Sequence, residues 1–274
     1  MRKRFYPVSL ITSTRLLLLA STLLQGCSVI DSRVDGPPAG PVDVTGIPDA
    51  VPVNEPRSRY GNPDSYVVNG EKYHVLNDSQ GYVERGIASW YGTKFQGRRT
   101  SSGESYNMYA MTAAHRTLPL PTFVEVRNLN NGNSVIVRVN DRGPFHVNRI
   151  LDLSYAAALK LGIVRDGTGL VEVRAIDPGN YQPEVIQAGP TDKNAGNGFY
   201  LQVGSFSNYD NAVRLQKKLA GLADNLIHIS EATVKDRKLY RVRIGPITDV
   251  DVADRIVVNL THFGISENNI LIDL

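Results

Sequence analysis

An aspartate stands where a β-branched segment gives way to a turn, in the sequence VIVRVNDRGPFHV over residues 135–147. Asp141 could be a turn residue only, because Asp accepts bonds from the backbone that follows it, Gly takes positive φ and Pro fixes φ. Alternatively, Asp141 presents a carboxylate to a substrate from a fixed position at a strand end. The local sequence favours the turn, so the decision depends on the rest of the chain.

Metal chemistry and a Ser-His-Asp site find no support among the other reactive side chains. No paired ligand spacing relates the five histidines, and a single cysteine cannot form a thiolate cluster. These histidines are His74, His115, His146, His228 and His262. No segment resembles the strand-turn-helix elbow of a serine nucleophile. The sequence therefore predicts no metal and no cofactor.

The charge balance excludes a nucleic-acid-binding class. The 274 residues carry a formal net charge of +3, yet the first 26 hold four of the 30 basic residues and none of the 27 acidic ones. The rest of the chain therefore has a net charge of −1, whereas nucleic-acid binding needs a strongly basic face. The length indicates roughly two domains.

The N-terminus, MRKRFYPVSLITSTRLLLLASTLLQGCSV, indicates a secretory signal with a cationic start and a short apolar run. That run is far below the ~20 residues that span a bilayer. Cys27, the only cysteine, could be a nucleophile or an unpaired core residue, but LLQGC resembles a bacterial lipoprotein box. The resemblance implies cleavage before Cys27 and its acylation, and Ser28 in place of Asp favours the outer membrane.

Two segments, 28–64 and 178–196, are rich in Pro, Gly and polar residues and lack an apolar period. We interpret them as disordered linkers, because they bury too little apolar surface to offset their ordering entropy. The first would be a tether that is semi-extended where Pro is dense.

Between these segments the sequence predicts many short strands and two helices. Asn-Gly pairs at 69–70 and 131–132 predict hairpins. The helices are predicted at 107–116 and at 154–162, where Ser154 would be the N-cap and Gly162 the C-terminal stop. Short strands with two embedded helices favour a small closed barrel.

The C-terminal region, residues 197–274, reads as strand, helix, two strands, helix and strand. This βαββαβ order predicts a sheet whose helices cover one face only. The opposite face would remain open for a ligand.

The motifs ASWYG, TSSGE, TAAHRTLP, VNDRGPF and LDLS occur in this order and resemble the double-psi β-barrel domain of the rare lipoprotein A family over residues 66–177. LQVGSF and LYRVRIGP resemble a SPOR domain. The expected fold class is mainly β plus α+β. The expected order is a signal peptide (1–26), a lipidated disordered tether (27–64), a double-psi β-barrel catalytic domain (65–177), a linker (178–196) and a βαββαβ SPOR domain (197–274).

The resemblance implies a septal lytic transglycosylase that cuts peptidoglycan between N-acetylmuramic acid and N-acetylglucosamine. It also implies a SPOR domain that binds glycan strands free of stem peptides. Such cleavage needs an acid for the leaving oxygen and stabilisation of an oxocarbenium-like centre. The muramic 6-hydroxyl then attacks the anomeric carbon and gives a 1,6-anhydro sugar, so one carboxyl can act first as acid and then as base.

The acidic and His positions of the family motifs are Asp141, Glu104 and His115. We expect Asp141 to act as acid and base, and Glu104 to hold a second charge or share the proton relay. His115, at the end of the predicted helix, would hydrogen-bond one of these carboxylates. The structural alternatives are a solvated loop residue for Glu104 and a polar helix end for His115. Asp152 in LDLS is a rival carboxylate, or else supports the helix that starts near Ser154.

Substrate contacts are expected from Tyr91 and Arg142 in the barrel and from Gln202, Ser205, Phe206 and Arg243 in the SPOR domain. Tyr91 could instead be a core residue, and Arg142 could instead lower the pKa of Asp141. Phe206 could likewise belong to the sheet core.

The leading hypothesis is an outer-membrane lipoprotein that faces the periplasm, cleaves peptide-free glycan strands at the septum, and has division proteins as further candidate partners. A non-catalytic, expansin-like peptidoglycan-binding lipoprotein is the alternative, because a fold does not fix its chemistry. A hydrolase that uses the same acids is a third. The two domains would act through effective concentration along the linker, without contact between them.

Overall fold

The structure is a computed structural model that describes residues 34–146, 148–182, 198–223, 226–234, 236–265 and 271–273. The predicted signal peptide, the lipidation site Cys27 and most of the predicted linker 178–196 lie outside these residues. Across the described ranges, no helix combines the length and the apolar character that crossing a membrane requires.

The barrel is built from six strands in the closed order β3-β7-β4-β6-β5-β8. Its elements are β3 (Val83–Tyr91), β4 (Thr112–His115), β5 (Thr122–Asn128), β6 (Ser134–Asp141), β7 (Arg149–Ser154), the helix α1 (Tyr155–Leu161) and β8 (Thr168–Ala175), preceded by β1 (Ser65–Val68) and β2 (Glu71–His74). The pairs β3–β7 and β4–β6 are parallel, and the other neighbouring pairs are antiparallel. The predicted closed barrel is confirmed.

Alternation along the strands fills the barrel interior. On β6, Val135, Val137 and Val139 are fully buried in the barrel core, as expected for side chains two residues apart on one face of a strand. Leu151 and Leu153 of β7 contribute in the same way. Residues between them, such as Asp152, therefore point outward.

One irregularity in the β4–β6 pairing redirects the end of β6. Ala113 pairs with Val139, but the next residue, Ala114, pairs with Asp141, so that Asn140 is an extra residue in the ladder. A β-bulge of this kind re-aims the side chains that follow it. Asp141 consequently shares the outer face of the barrel with Ala114.

The helix predicted at 107–116 is wrong. Residues 108–111 form turns and bends and residues 112–115 form β4, so His115 lies at a strand end instead of a helix end. Backbone pairing on both sides, with β6 and β7, outweighs the helix propensity of the alanines. The second helix is confirmed as α1, with Ser154 as N-cap and Gly162 at a φ of 81°.

The predicted tether is wrong from residue 35 onward, because this segment follows the barrel surface. Asp35 accepts hydrogen bonds from the backbone N–H groups of Gly92 and Lys94. Asp49 accepts one from Ile136. Val44, Ile47 and Ala50 pack against the barrel core. Bonds from short polar side chains to backbone groups order this segment without any apolar period.

The β1–β2 hairpin is a separate two-stranded sheet. Asn69 and Gly70 have φ angles of 53° and 83°, which is the conformation that a two-residue hairpin turn requires. The Asn-Gly prediction at this position is therefore confirmed.

The C-terminal domain has the predicted βαββαβ order. Its elements are β9 (Phe199–Phe206), α2 (Tyr209–Lys218), β10 (Ile227–Val234), β11 (Arg237–Ile247), α3 (Val250–His262) and β12 (Leu271–Asp273). The sheet order is β10-β11-β9-β12. Asn208 and Asp249 cap α2 and α3 by accepting backbone hydrogen bonds, as short polar N-cap residues do.

The barrel and the C-terminal domain contact each other, contrary to the expectation of independent domains. Ile87, Leu129 and Leu170 of the barrel belong to the same hydrophobic cluster as the C-terminal core. Arg149 of β7 donates two hydrogen bonds, of 3.0 and 2.7 Å, to the carboxylate of Asp254 on α3. Only 5% of Arg149 is exposed, so this ion pair is largely removed from water.

Replacement of Asp254 by alanine should lower the free energy of unfolding by about 3 kcal/mol, because it leaves the buried Arg149 charge without its partner. Urea unfolding measures this loss. The matched control is Asp251→Ala, which removes an exposed acid from the first turn of the same helix and should cost less than about 1 kcal/mol. Equal stability of the two variants would contradict a contribution of the ion pair to the interface.

Candidate active site

Four outward-facing residues lie side by side across four strands at one end of the barrel. Asp141 pairs with Ala114, Ala114 pairs with Asp152, and Asp152 pairs with Ser89. We call Asp141, Ala114, Asp152 and Ser89 the carboxyl row. Residues in register share a face of the sheet, and two strand spacings separate the Cα atoms of Asp141 and Asp152 by about 10 Å.

Asp141 is oriented by three donors that meet at one oxygen. Its Oδ1 accepts from the Ser101 backbone N–H at 2.7 Å, the Ser101 hydroxyl at 2.7 Å and the Arg142 N–H at 2.8 Å. All three of these bonds reach Oδ1. They hold Asp141 in the turn through Oδ1, and Oδ2 is the oxygen that a proton transfer would use.

Glu104 belongs to the same loop as Ser101 and lies beside the same strand end. Its carboxylate accepts from Arg138 Nη1 at 2.8 and 2.9 Å and from Asn140 Nδ2 at 2.8 Å. Burial by itself raises the pKa of Glu104, but the bonds from Arg138 and Asn140 outweigh it and the pKa lies below its usual value. Of its two expected roles, the arrangement supports a fixed negative charge over a proton relay.

Asp152 is the carboxyl of the row whose surroundings disfavour its charged form. Burial raises its pKa, against the opposing effects of the hydrogen bond from Ser89 and the nearby Arg149 charge. A Cβ atom at Gly143 would lie 3.8 Å from Asp152 Oδ2, so the turn that follows Asp141 passes beside Asp152. Ser154, and not Asp152, caps α1. The cap therefore does not support the alternative in which Asp152 stabilises the start of that helix.

The burial of Asp152 has a measurable effect on stability. Because its pKa is higher in the folded protein than in the unfolded chain, the folded state binds more protons, and the free energy of unfolding falls as pH rises through the interval between the two values. Asp152→Asn should therefore melt above the wild type at about pH 7, and the difference should shrink at about pH 4. Exposed Asp166→Asn is the control. A difference that does not change with pH would contradict this origin.

His115 does not bind either of the expected catalytic carboxylates. Its Nδ1 accepts from the N–H groups of Thr117 and Leu118 at 3.1 and 3.0 Å. Its Nε2 lies 2.9 Å from the Tyr82 hydroxyl and 3.8 Å from Glu84 Oε2. Burial lowers the pKa of His115, although Glu84 opposes this. His115 is thus a neutral imidazole whose partner carboxylate is Glu84.

Tyr82 and Glu84 are therefore site-supporting residues that sequence reasoning missed. The Tyr82 hydroxyl donates to Glu84, and the pKa of Glu84 is lowered because bonds from His115 and Tyr82 outweigh its burial. No motif spacing relates these residues to His115. Only the closure of the barrel brings β3 and its preceding turn to the end of β4.

The guanidinium of Arg142 binds backbone carbonyl oxygens of the protein, whereas a substrate contact was expected. Its guanidinium donates to the carbonyl oxygens of Gly61 at 2.8 Å, Leu118 at 2.6 Å and His115 at 3.1 Å. Burial lowers its pKa to about 10, which keeps it charged at neutral pH. Arg142 thus links the turn that contains Asp141 to the segments at Gly61 and at 115–118. It positions the site through these backbone carbonyl groups.

Tyr91 lies beneath the carboxyl row and presents no ring to a sugar. It is only 8% exposed, and its ring stacks on Tyr106 at 4.1 Å between centroids. Burial raises its pKa, and the charges of Asp141 and Asp152 add to this effect. Tyr91 is therefore a core residue, which was the alternative to a substrate contact.

Three of the four residues expected to bind substrate in the C-terminal domain share its open face. Arg243 pairs with Gln202 across β9 and β11. Ser205 pairs with Arg241 and is exposed. The helix-covered face carries the buried neighbours Val242 and Ile244.

Phe206 lies on the other face. A register shift in the β9–β11 pair separates it from the alternation of Gln202, and Phe206 pairs with Tyr240, which contacts Tyr209 of α2. Both Phe206 and Tyr240 pack against the C-terminal core. The expected substrate contact of Phe206 is therefore corrected to a place in the sheet core.

Within the described ranges, no group of three or more His, Cys, Asp or Glu side chains is arranged to hold a metal ion. The side chains that the barrel site does bring together, Asp141 and Asp152 beside the anion of Glu104, can carry out proton transfer. Such a constellation suits the cleavage of an acetal bond, which needs an acid and stabilisation of positive charge.

Two family models match the chain. Residues 83–174 match a model described as lytic transglycolase, and residues 195–267 match the SPOR domain. The first match thus contains strands β3 to β8 except for Ala175, the last residue of β8, and the β1–β2 hairpin lies outside it.

Curated relatives match most of the chain. One, from Pseudomonas aeruginosa, is called endolytic peptidoglycan transglycosylase RlpA and is 42% identical over 81% of this chain and 79% of its own length. Another of the same name, from Vibrio cholerae, is 41% identical over 91% of this chain and 93% of its own. The solved RlpA SPOR domain from P. aeruginosa is 32% identical and covers 28% of this chain and 99% of that one, with a TM-score of 0.26.

Proposed function

Because the chain belongs to the RlpA family of endolytic peptidoglycan transglycosylases, we propose that its barrel cleaves the bond between N-acetylmuramic acid and N-acetylglucosamine and leaves 1,6-anhydro ends. The observation that carries this proposal is the carboxyl row, in which three donors orient Asp141 through Oδ1. Glu104 lies beside it as a fixed anion.

Asp141 is assigned both proton transfers. Its protonated Oδ2 donates to the leaving oxygen at C4 of N-acetylglucosamine while the bond from that oxygen to C1 of N-acetylmuramic acid breaks. Positive charge develops at C1, and the anion of Glu104 stabilises it. The C6 hydroxyl oxygen of the same sugar then attacks C1, and Asp141 takes the hydroxyl proton and returns to its starting state. Water is not consumed.

Asp152 is the second candidate for the proton donor. Its buried position disfavours the charged form, which is the condition that a general acid needs near neutral pH. His115 and Arg142 are assigned positioning roles. His115 accepts from the N–H groups of Thr117 and Leu118, and Arg142 donates to the carbonyl oxygen of Leu118. Arg142 also follows Asp141 directly in the chain.

Product analysis tests the proposal and separates it from its rivals. Peptide-free glycan strands digested by the purified protein should give anhydromuramyl ends in mass spectrometry. Reducing muramic ends would indicate a hydrolase. Binding of the strands without any new ends would indicate the non-catalytic wall-binding alternative.

The C-terminal domain is proposed to recognise peptide-free glycan at the septum through Gln202, Ser205 and Arg243. These polar groups on the open sheet face suit a polymer rich in hydroxyls. Lipidation of Cys27 would hold the protein in the outer membrane, facing the periplasm, near division proteins.

Point variants test this placement better than deletion of the domain, because deletion would expose Ile87, Leu129 and Leu170. A fluorescent fusion with Gln202→Ala and Arg243→Ala should lose septal enrichment, while Arg214→Ala, an exposed change on α2, should keep it. Unchanged enrichment of the double variant would contradict the assignment.

A further inference from the structure

An exposed aromatic ring stands next to the carboxyl row, in the motif that contains Asp141. Phe145 is 38% exposed. Its ring contacts those of Tyr66 and Tyr73 at centroid distances of 6.2 and 5.7 Å, and the two tyrosines stack on each other at 5.4 Å. Both tyrosines come from the β1–β2 hairpin, so a separate sheet supports a ring of the barrel turn.

The support is built from several independent contacts. The Tyr66 hydroxyl donates to the Arg116 carbonyl at 2.7 Å, and burial raises the pKa of Tyr66 to about 12, which keeps the phenol protonated. Arg142 lies 5.9 Å from the Tyr66 ring and Arg116 lies 6.0 Å from the Tyr73 ring. Each tyrosine thus has a neighbouring ring and a guanidinium, whereas Phe145 keeps over a third of its surface in solvent.

The position of Phe145 relates it to the reacting groups. A Cβ atom at Gly143 would lie 3.9 Å from Phe145 Cε2 and 3.8 Å from Asp152 Oδ2. The ring and the Asp152 carboxyl therefore flank the same glycine. A ligand that reaches Asp141 or Asp152 along this side of the barrel meets the ring of Phe145.

We propose that Phe145, held by Tyr66 and Tyr73, is a sugar-binding subsite that stacks against the apolar face of a pyranose ring adjacent to the bond that is cleaved. The negative face of an aromatic ring attracts the slightly positive C–H bonds of a pyranose, and a fixed ring loses little conformational entropy on binding. This inference rests on the proposed function, since it names a subsite of that glycan site.

A protein partner fits the same surface less well. A specific protein interface covers about 800 Å² on each side, whereas one exposed ring offers only a small apolar area. The surrounding Arg116 and Arg142 guanidinia already face tyrosine rings. A single flat ring with polar groups around it matches one sugar unit.

The test measures binding and catalysis separately. In an Asp141→Asn, Gln202→Ala and Arg243→Ala background, which leaves the substrate intact and removes the proposed glycan contacts of the C-terminal domain, a peptide-free glycan tetrasaccharide is titrated by calorimetry into proteins with and without Phe145→Ala. The dissociation constant should rise about tenfold, which corresponds to the loss of one stacking contact. Phe145→Trp should restore binding.

Two further variants distinguish the loss of the subsite from a general loss of stability. Tyr73→Ala removes one of the two rings that support Phe145 and leaves every residue of the turn that contains Asp141 in place, so it should weaken binding in the same direction. Tyr209→Ala, on the helix side of the C-terminal domain, also removes an exposed ring that contacts another ring, and it should leave binding unchanged.

With Asp141 restored, Phe145→Ala should raise KM about tenfold on glycan strands and change kcat less, because the ring binds the substrate without taking part in proton transfer. Wild-type affinity of folded Phe145→Ala would overturn the subsite even if the enzyme is active. Absence of anhydro products from the wild-type chain would instead contradict the proposed function, so the two failures are distinguishable.

Discussion

Replacement of Asp141 by asparagine should lower kcat on glycan strands by about 10³-fold, within the range that a positioned proton donor supplies. The amide cannot give and take back a proton at Oδ2. Its oxygen can still accept from Ser101 and from the Arg142 N–H, so the turn and the thermal stability should be retained. The rate of appearance of anhydromuramyl ends, followed by mass spectrometry, measures the loss.

Ser101→Ala is the matched control for Asp141. It removes the hydroxyl bond to Oδ1 and keeps the backbone bond, so it loosens the carboxylate without removing it. We expect a loss of about tenfold or less, as for one hydrogen bond to an oxygen that keeps its other donors. Near wild-type turnover by Asp141→Asn, together with an inactive Asp152→Asn, would transfer the acid role to Asp152.

Replacement of Glu104 by glutamine should lower kcat by about 10²-fold, because electrostatic stabilisation of a developing charge is usually a large part of catalysis. Glutamine is close to the same size and can still accept one bond from Arg138, but it carries no charge to place near C1. KM should change little, since the charge develops only in the transition state.

Glu55→Gln provides a control with the same chemistry. Glu55 binds the same guanidinium as Glu104, with Arg138 Nη2 and Nε as donors at 2.6 and 2.9 Å, whereas the hydrogen bond from Asn140 goes to Glu104. Its loss should affect stability about as much as that of Glu104 and leave kcat near the wild-type value. Equal losses of kcat in both variants would assign Glu104 to structure alone.

The elements that depend on local sequence signals were predictable. The Asn-Gly hairpin at 69–70 and the helix capped by Ser154 needed only turn and cap chemistry. The prediction failed at 107–116, where pairing with strands distant in sequence overrides helix propensity. It failed again at 35–64, where individual polar side chains bind the barrel without a repeating pattern.

The candidate site was predictable as a set of motifs but not as an arrangement. Asp141 and Glu104 meet the same strand end because their loops do, as expected. The bulge at Asn140 that turns Asp141 outward, and the alignment of Asp152 with it, follow from strand register. Register between non-neighbouring segments leaves no trace in the spacing of residues along the chain.

The segment that follows the barrel surface from Asp35 onward limits how far the enzyme can stand from its proposed lipid. A free chain from Cys27 to residue 64 could extend about 130 Å, whereas the covalent path from Cys27 to Asp35 measures at most about 28 Å. With the acyl chains in the outer membrane, the barrel would work only on wall layers that lie close beneath that membrane. The anchor would thus select the depth of the sacculus at which strands are cut.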